Sequence, residues 1–202
     1  MNRSIVVLLL VGLLSGCFGG TGKTPFIRQY VLEYPPTQGG GTAVVEAMVR
    51  VERFSADRLF MGKEMLYRQG PFRREAYPVQ RWRISPADMV TEFIRRDLRL
   101  AGLFSAVLGE RDAEDVRFSL AGGVEEFFES RENQNRRALL AATVTLLDNS
   151  RKEMAEFVVL QKSYRIEAAI EREGAAGMAE AMSRAMADLS RQVITDIAKV
   201  IR

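Results

Sequence analysis

Apolar positions in the first half of the chain recur mostly every second residue. In Ala43–Phe54, Val45, Ala47, Val49 and Val51 alternate with Val44, Glu46, Met48, Arg50 and Glu52. That is the period-two signature of a half-buried strand. Phe26–Tyr34 reads as a shorter strand closed by Pro35-Pro36, and residues 37–42 read as a loop. After a turn at 55–57, Leu66-Tyr67-Arg68 and Ala76–Trp82 read as strands broken by Gly70-Pro71.

The period then changes. Val90, Phe93, Ile94, Leu98 and Ala101 form one helical stripe over about 86–101. Ser85 is placed as N-cap, Pro86 as first helical residue and Asp88 as the far member of a capping box. Gly102 stands where a left-handed residue ends a helix, with Leu103-Phe104 folding back on the stripe. Three strands are predicted next, at 115–128, 138–147 and 155–166, separated by polar loops short enough for antiparallel neighbours. Met178–Ile201 returns to helical spacing through Met182, Ala185, Leu189, Val193, Ile197 and Val200. Its methionines read as core rather than as a lipid-binding face. The expected fold class is α+β: one domain, a mainly antiparallel sheet, and two amphipathic helices packed against it.

The extreme N-terminus follows a different logic. Arg3 precedes an uncharged run from Ile5 to Leu14, and Leu14-Ser15-Gly16-Cys17 follows. Ten helical residues rise about 15 Å, half the thickness of a bilayer core, so the run reads as a signal peptide. The string also contains Gly22-Lys23-Thr24, the end of a phosphate-binding loop. The first glycine of that motif would fall at Cys17, and Pro25 with a strand follows where a helix is required. A nucleotide hydrolase, with Asp148 as partner acid, is therefore the weakest reading. The expected divisions are 1–16 as signal peptide, 17–25 as lipidated cysteine and tether, and 26–202 as the folded domain.

Composition narrows the chemistry. Cleavage before Cys17 removes one basic residue, Arg3, from a balance of 29 basic against 26 acidic residues. Near-neutrality gives no reason to expect nucleic acid. Cys17 is the sole cysteine, so an internal disulfide is excluded, and the chain has no histidine. The commonest general base and transition-metal ligand are thus missing, and no catalytic residue, cofactor or metal is expected. Glu125, Glu126 and Glu129 form the one acidic cluster resembling a hydrolase pair. Strand alternation sends Glu125 and Glu126 to opposite faces, so all three read as solvated.

The landmarks occur in a characteristic order. Tyr30-Val-Leu32, Leu66-Tyr67-Arg68, Tyr77, Arg81-Trp82, Pro86-x-x-Met89, Gly102-Leu-Phe104-x-x-Val107, Phe127, Ala138-x-Leu140 and the turn at Asp148 follow a lipobox-like Leu14–Cys17. This order resembles the ABC-type transport auxiliary lipoproteins, the PqiC-like family that accompanies mammalian-cell-entry (MCE) lipid transporters. Arg83-Ile-Ser-Pro86 after Trp82 departs from the family's smaller or more proline-rich turn. The resemblance implies a non-enzymatic, lipid-anchored subunit in the periplasm, acylated at Cys17, that docks on an MCE-domain protein moving phospholipid or other lipids between membranes. It is compatible with a homo-oligomer. By the sorting rule for such lipoproteins, Phe18 after the cysteine implies the outer membrane, with the inner membrane as the alternative. A regulatory lipoprotein of a cell-wall synthase or of an outer-membrane assembly machine is the competing role.

Tyr67, Arg68, Tyr77 and Trp82 are the candidate docking residues, because aromatic rings and arginine dominate interface energies. Trp82, between Arg81 and Arg83, fits a core anchor equally well. Residues 68–99 hold eight arginines against Glu75, Asp88, Glu92 and Asp97. Anionic headgroups are one use for that excess; a solvated face with helix-end compensation is the preferred one.

Overall fold

The computed structural model describes residues 26–36, 45–112, 115–132, 135–151, 153 and 157–201. The fold is organised by one long strand. β7 (Phe118–Glu132) is bordered along one edge by β8 (Asn135–Asp148), antiparallel from Phe118–Asp148 to Glu132–Asn135. β9 (Val158–Ala169) continues the sheet antiparallel beyond β8. Along its other edge β7 meets three short strands in turn: β2 (Val45–Val51), β3 (Ser55–Ala56) and β4 (Glu64–Arg68). β6 (Phe104–Gly109) extends the sheet beside β2, while β5 (Arg74–Trp82) and then β1 (Arg28–Tyr30) extend it beside β4.

The sheet is therefore mixed, and the mainly antiparallel expectation is corrected: five of the eight strand pairings among the described residues are parallel. The reason lies in the connections. β2, β3 and β4 advance in line along β7 without reversing, so each runs parallel to it. A turn signal such as Ser55–Asp57 marks an interruption of the strand, and the chain can continue forward from it as well as fold back. Two further differences follow. Residues 55–56 form β3 within the expected turn, and Phe104 begins β6 instead of only folding back on the preceding helix.

Both helices pack on the sheet and on each other. Helix α1 (Pro86–Ala101) is capped as its sequence requires: the Ser85 side chain accepts from the Asp88 amide at 3.3 Å, and Gly102 adopts φ 65°. It lies over β2, β3, β6 and β7 and buries Val90, Ile94 and Leu98. Helix α2 (Gly174–Val200) lies over β8 and β9 and buries Met178, Met182, Met186, Leu189, Val193 and Ile197. Its methionine stripe is core, as its spacing indicates. No helix among the described residues is long and apolar enough to cross a membrane.

Buried polar contacts fix the helices in register. Asp97 of α1 is fully buried and accepts from Tyr34 Oη at 2.7 Å and from Ser190 Oγ of α2 at 2.6 Å. Arg96 Nε donates to its other oxygen at 2.7 Å. Burial and the neighbouring Asp97 carboxylate push the Tyr34 hydroxyl far above the ordinary phenol range.

Candidate docking site

Strand register explains which candidate residues meet. Tyr67 lies opposite Glu75 on β5 and Glu129 on β7, whereas Arg68 lies opposite Arg74 and Ser130. Side chains alternate along a strand, so neighbouring residues serve opposite faces. Tyr67 shares its face with Glu75, Tyr77, Glu129 and Arg131, and Arg136 joins them from β8 opposite Arg131. On the other face Arg68 and Arg74 set their guanidinium groups over the Phe128 ring, 5.1 and 4.9 Å from its centre.

The Tyr67 face is built around Glu129, which is 0% exposed. Its carboxylate accepts from Arg131 Nε at 2.8 Å, from Arg136 Nε at 2.6 Å and from the Tyr77 hydroxyl. Burial opposes its ionisation, but the hydrogen bonds from Arg131, Arg136 and Tyr77 outweigh that cost and hold the carboxyl below its usual range. Burial, with the Glu129 contact, pushes the Tyr77 hydroxyl up to about 12. The Arg131 guanidinium sits 3.6 Å from the centre of the Tyr67 ring, and the Tyr67 hydroxyl donates to Glu75. The two tyrosine rings meet edge to face at 5.4 Å.

Two expectations for the acidic cluster are thereby corrected. Glu129 is the most protected carboxylate of the group rather than a solvated one, because Arg131, two residues along β7, and Arg136, across on β8, compensate its charge. Glu125 and Glu126 do not diverge, because the β7–β8 register shifts between Val124 and Glu126. The bulge places both on the polar outer face, where Glu125 accepts from Thr143 Oγ1 at 2.5 Å and Glu126 from Arg165 Nε at 2.8 Å.

The four docking candidates separate. Trp82 is 0% exposed and meets Phe127 edge to face at 5.4 Å, so it is a core anchor and offers no surface to a partner. Glu64 pairs with Arg81 while Leu66 pairs with Ala76; the extra residues on β5 invert its alternation and turn Trp82 inward. Tyr77 is only 7% exposed, with its hydroxyl committed to Glu129. Tyr67 and Arg68 are half-buried and retain accessible surface; Arg68 pairs with Glu132 at 2.7 Å. Cys17 and Phe18, the signal peptide and the tether lie outside the described residues.

The arginine excess between 68 and 99 is largely spent within the domain. Arg73 pairs with Glu75, Arg81 with Glu64, Arg95 with Glu92 and Arg96 with Asp97. A cleft of about 660 Å³ between α1 and the β6 end is similarly self-contained: Arg53 Nε donates to Asp88 at 2.6 Å, and Asp112 accepts from the Gly109 amide at 2.6 Å. The phosphate-loop reading also fails locally. The chain after Pro25 enters β1 rather than a helix, and Asp148 is occupied by Arg117 Nη2 at 3.0 Å and Ser150 Oγ at 2.6 Å.

One residue that sequence reasoning passed over stands out. Phe72, at the turn between β4 and β5, is 100% exposed. Its signal was present in Gly70-Pro71-Phe72, a rigid turn followed by a ring with nothing local to pack on.

The domain thus described has relatives. A family model described as "ABC-type transport auxiliary lipoprotein component" matches residues 30–194. No curated protein matches the sequence at a significant level. Among solved structures, protein XCC0632 from Xanthomonas campestris is similar with a TM-score of 0.75 and 19% identity, covering 85% of this chain and 96% of its own. The hypothetical protein CT253 from Chlamydia trachomatis is similar with a TM-score of 0.53 and 12% identity, covering 78% of this chain and 98% of its own. At these identities the likeness is one of fold.

Proposed function

We infer the role from membership: this chain belongs to the ABC-type transport auxiliary lipoprotein component family, and we propose that it is the accessory lipoprotein of an MCE-type transporter. In this reading Cys17 carries the lipid, residues 1–16 are removed, and the domain faces the periplasm from the outer membrane. It works by docking on the MCE-domain protein while a separate ATPase supplies energy.

The family match across 30–194 carries the proposal, because it spans nearly the whole described domain rather than one motif. The residue chemistry supports docking over catalysis. The chain has no histidine, and its buried carboxylates Glu129, Asp97 and Asp148 are each held by arginine and hydroxyl donors, so none is left to act on a substrate. Lipid anchoring is consistent with acyl burial, which contributes about 0.8 kcal/mol per CH₂ and holds firmly once two or more chains insert. Tyr67 and Arg68 are the docking residues that keep accessible surface.

Affinity purification of the tagged protein from detergent-solubilised envelopes tests this. Recovery of an MCE-domain protein is expected, with loss of recovery in Tyr67→Ala/Arg68→Ala. Recovery only of cell-wall synthases or outer-membrane assembly proteins would refute it.

A further inference from the structure

We propose that the turn between β4 and β5 is a membrane contact: Phe72 enters the interface of the same leaflet that holds the Cys17 lipid. The proposal rests on the lipid-anchored reading above.

Three observations bear on it. The first is the turn itself. Gly70 adopts φ 86°, Pro71 follows, and Arg74 Nη1 donates to the carbonyls of Pro71 at 3.5 Å and Arg73 at 3.4 Å. The tip is thus held in shape while Phe72 is left 100% exposed. A fully hydrated aromatic ring on a braced tip gains by entering an apolar phase, and the gain scales with the area removed from water.

The second is direction. β1 runs parallel to β5, with Arg28 opposite Gln80. The chain therefore enters the domain from the end of the sheet at which the tip projects. Phe26 and Ile27, just before β1, are exposed as well; by the register they lie level with Pro78 and Val79, on the path by which the chain comes down from the tip side. Phe72 precedes Gln80 by eight residues, about 26 Å of strand at most. Cys17 precedes Phe26 by nine residues, which span at most roughly 30 Å. A lipid on Cys17 can therefore lie in the bilayer that the tip touches.

The third is local charge. From Arg68 to Arg74 there are three arginines and no acidic residue. Glu132, on neighbouring β7, pairs with Arg68, and Glu75, two residues on from Arg73, pairs with Arg73, while Arg74 lies over Phe128. The electrostatic pull on anionic lipid is accordingly modest, and the aromatic ring carries the contact.

The test uses the lipidated mature chain with Phe72→Trp in vesicles of phosphatidylethanolamine and phosphatidylglycerol. Trp82 is buried and unchanged in both proteins, so the difference from the parent reports position 72. Val158→Trp, on an exposed residue at the far end of β9, is the control. The expected result is blue-shifted emission at 72, quenched by brominated acyl chains, with 158 quenched only by aqueous iodide. In parallel, Phe72→Ser should weaken partitioning of the unacylated Cys17→Ser chain by roughly tenfold. The two readings fail differently. Lack of acylation by mass spectrometry, with no vesicle flotation, defeats the anchor and this inference with it. Acylated, floating protein whose position 72 stays open to iodide defeats the membrane contact alone. So does shielding of position 72 that appears only when envelope proteins are added.

Discussion

Glu129→Gln separates the structural account from the sequence expectation more sharply than any other change. The substitution keeps the shape but replaces one of the two accepting oxygens with an NH₂ donor and removes the charge that two guanidiniums share at 2.6 and 2.8 Å. Deleting one partner of a buried ion pair typically costs about 3–5 kcal/mol, because the remaining charge is left uncompensated. Arg131 and Arg136 keep 28% and 22% of their side-chain surface exposed, so solvent screens part of that loss. About 2–4 kcal/mol is expected, or roughly 5–15 °C in Tm for a domain of this size. Urea and thermal melts at neutral pH measure it. The pH dependence adds a check whose sign follows from the depressed carboxyl. The stabilisation from Glu129 is fully present above the unfolded value of about 4.3 and is lost as pH falls through the folded one. The gap between parent and variant should therefore shrink in acid. A variant within about 0.5 kcal/mol of the parent at pH 7, the range of an ordinary surface change, would refute the network.

Other predictions test other parts of the fold. Gly122→Ala places a Cβ 2.3 Å from the Phe54 ring, and overpacking of this kind should cost about 1–3 kcal/mol in urea melts. Trp82→Phe keeps an edge contact with Phe127 and removes a buried indole N–H without an acceptor among the described residues, so it should change stability by less than about 1.5 kcal/mol; Trp82→Ala should cost about 3–5 kcal/mol. Asp148 is held at about 2, its burial outweighed by hydrogen bonds from Arg117 and Ser150. Its contribution is complete above the unfolded pKa and disappears as pH falls toward 2, so Arg117→Ala should cost roughly 1–2 kcal/mol at pH 7 and progressively less in acid melts.

The chain's own pattern determined the elements whose signals are local. Ser85, Pro86 and Gly102 define α1 because caps act within one turn, and the methionine stripe defines α2 because helical spacing exposes its buried face directly. The ordered landmarks from Tyr30 to Asp148 also sufficed for the family, which the match over 30–194 bears out. Only tertiary structure decided how strands pair, since β2, β3 and β4 run in line along β7 and local sequence does not encode whether a turn reverses the chain. It likewise decided that Glu129 is buried and Trp82 internal, while Phe72 is left in water. The arginines that neutralise Glu129 come from Arg131 and from Arg136 across the β7–β8 pairing, and the irregularity that turns Trp82 inward exists only in the pairing of β4 with β5. Burial of a charge or a ring depends on partners brought together by folding, and sequence periodicity registers only which face of its own element a residue occupies.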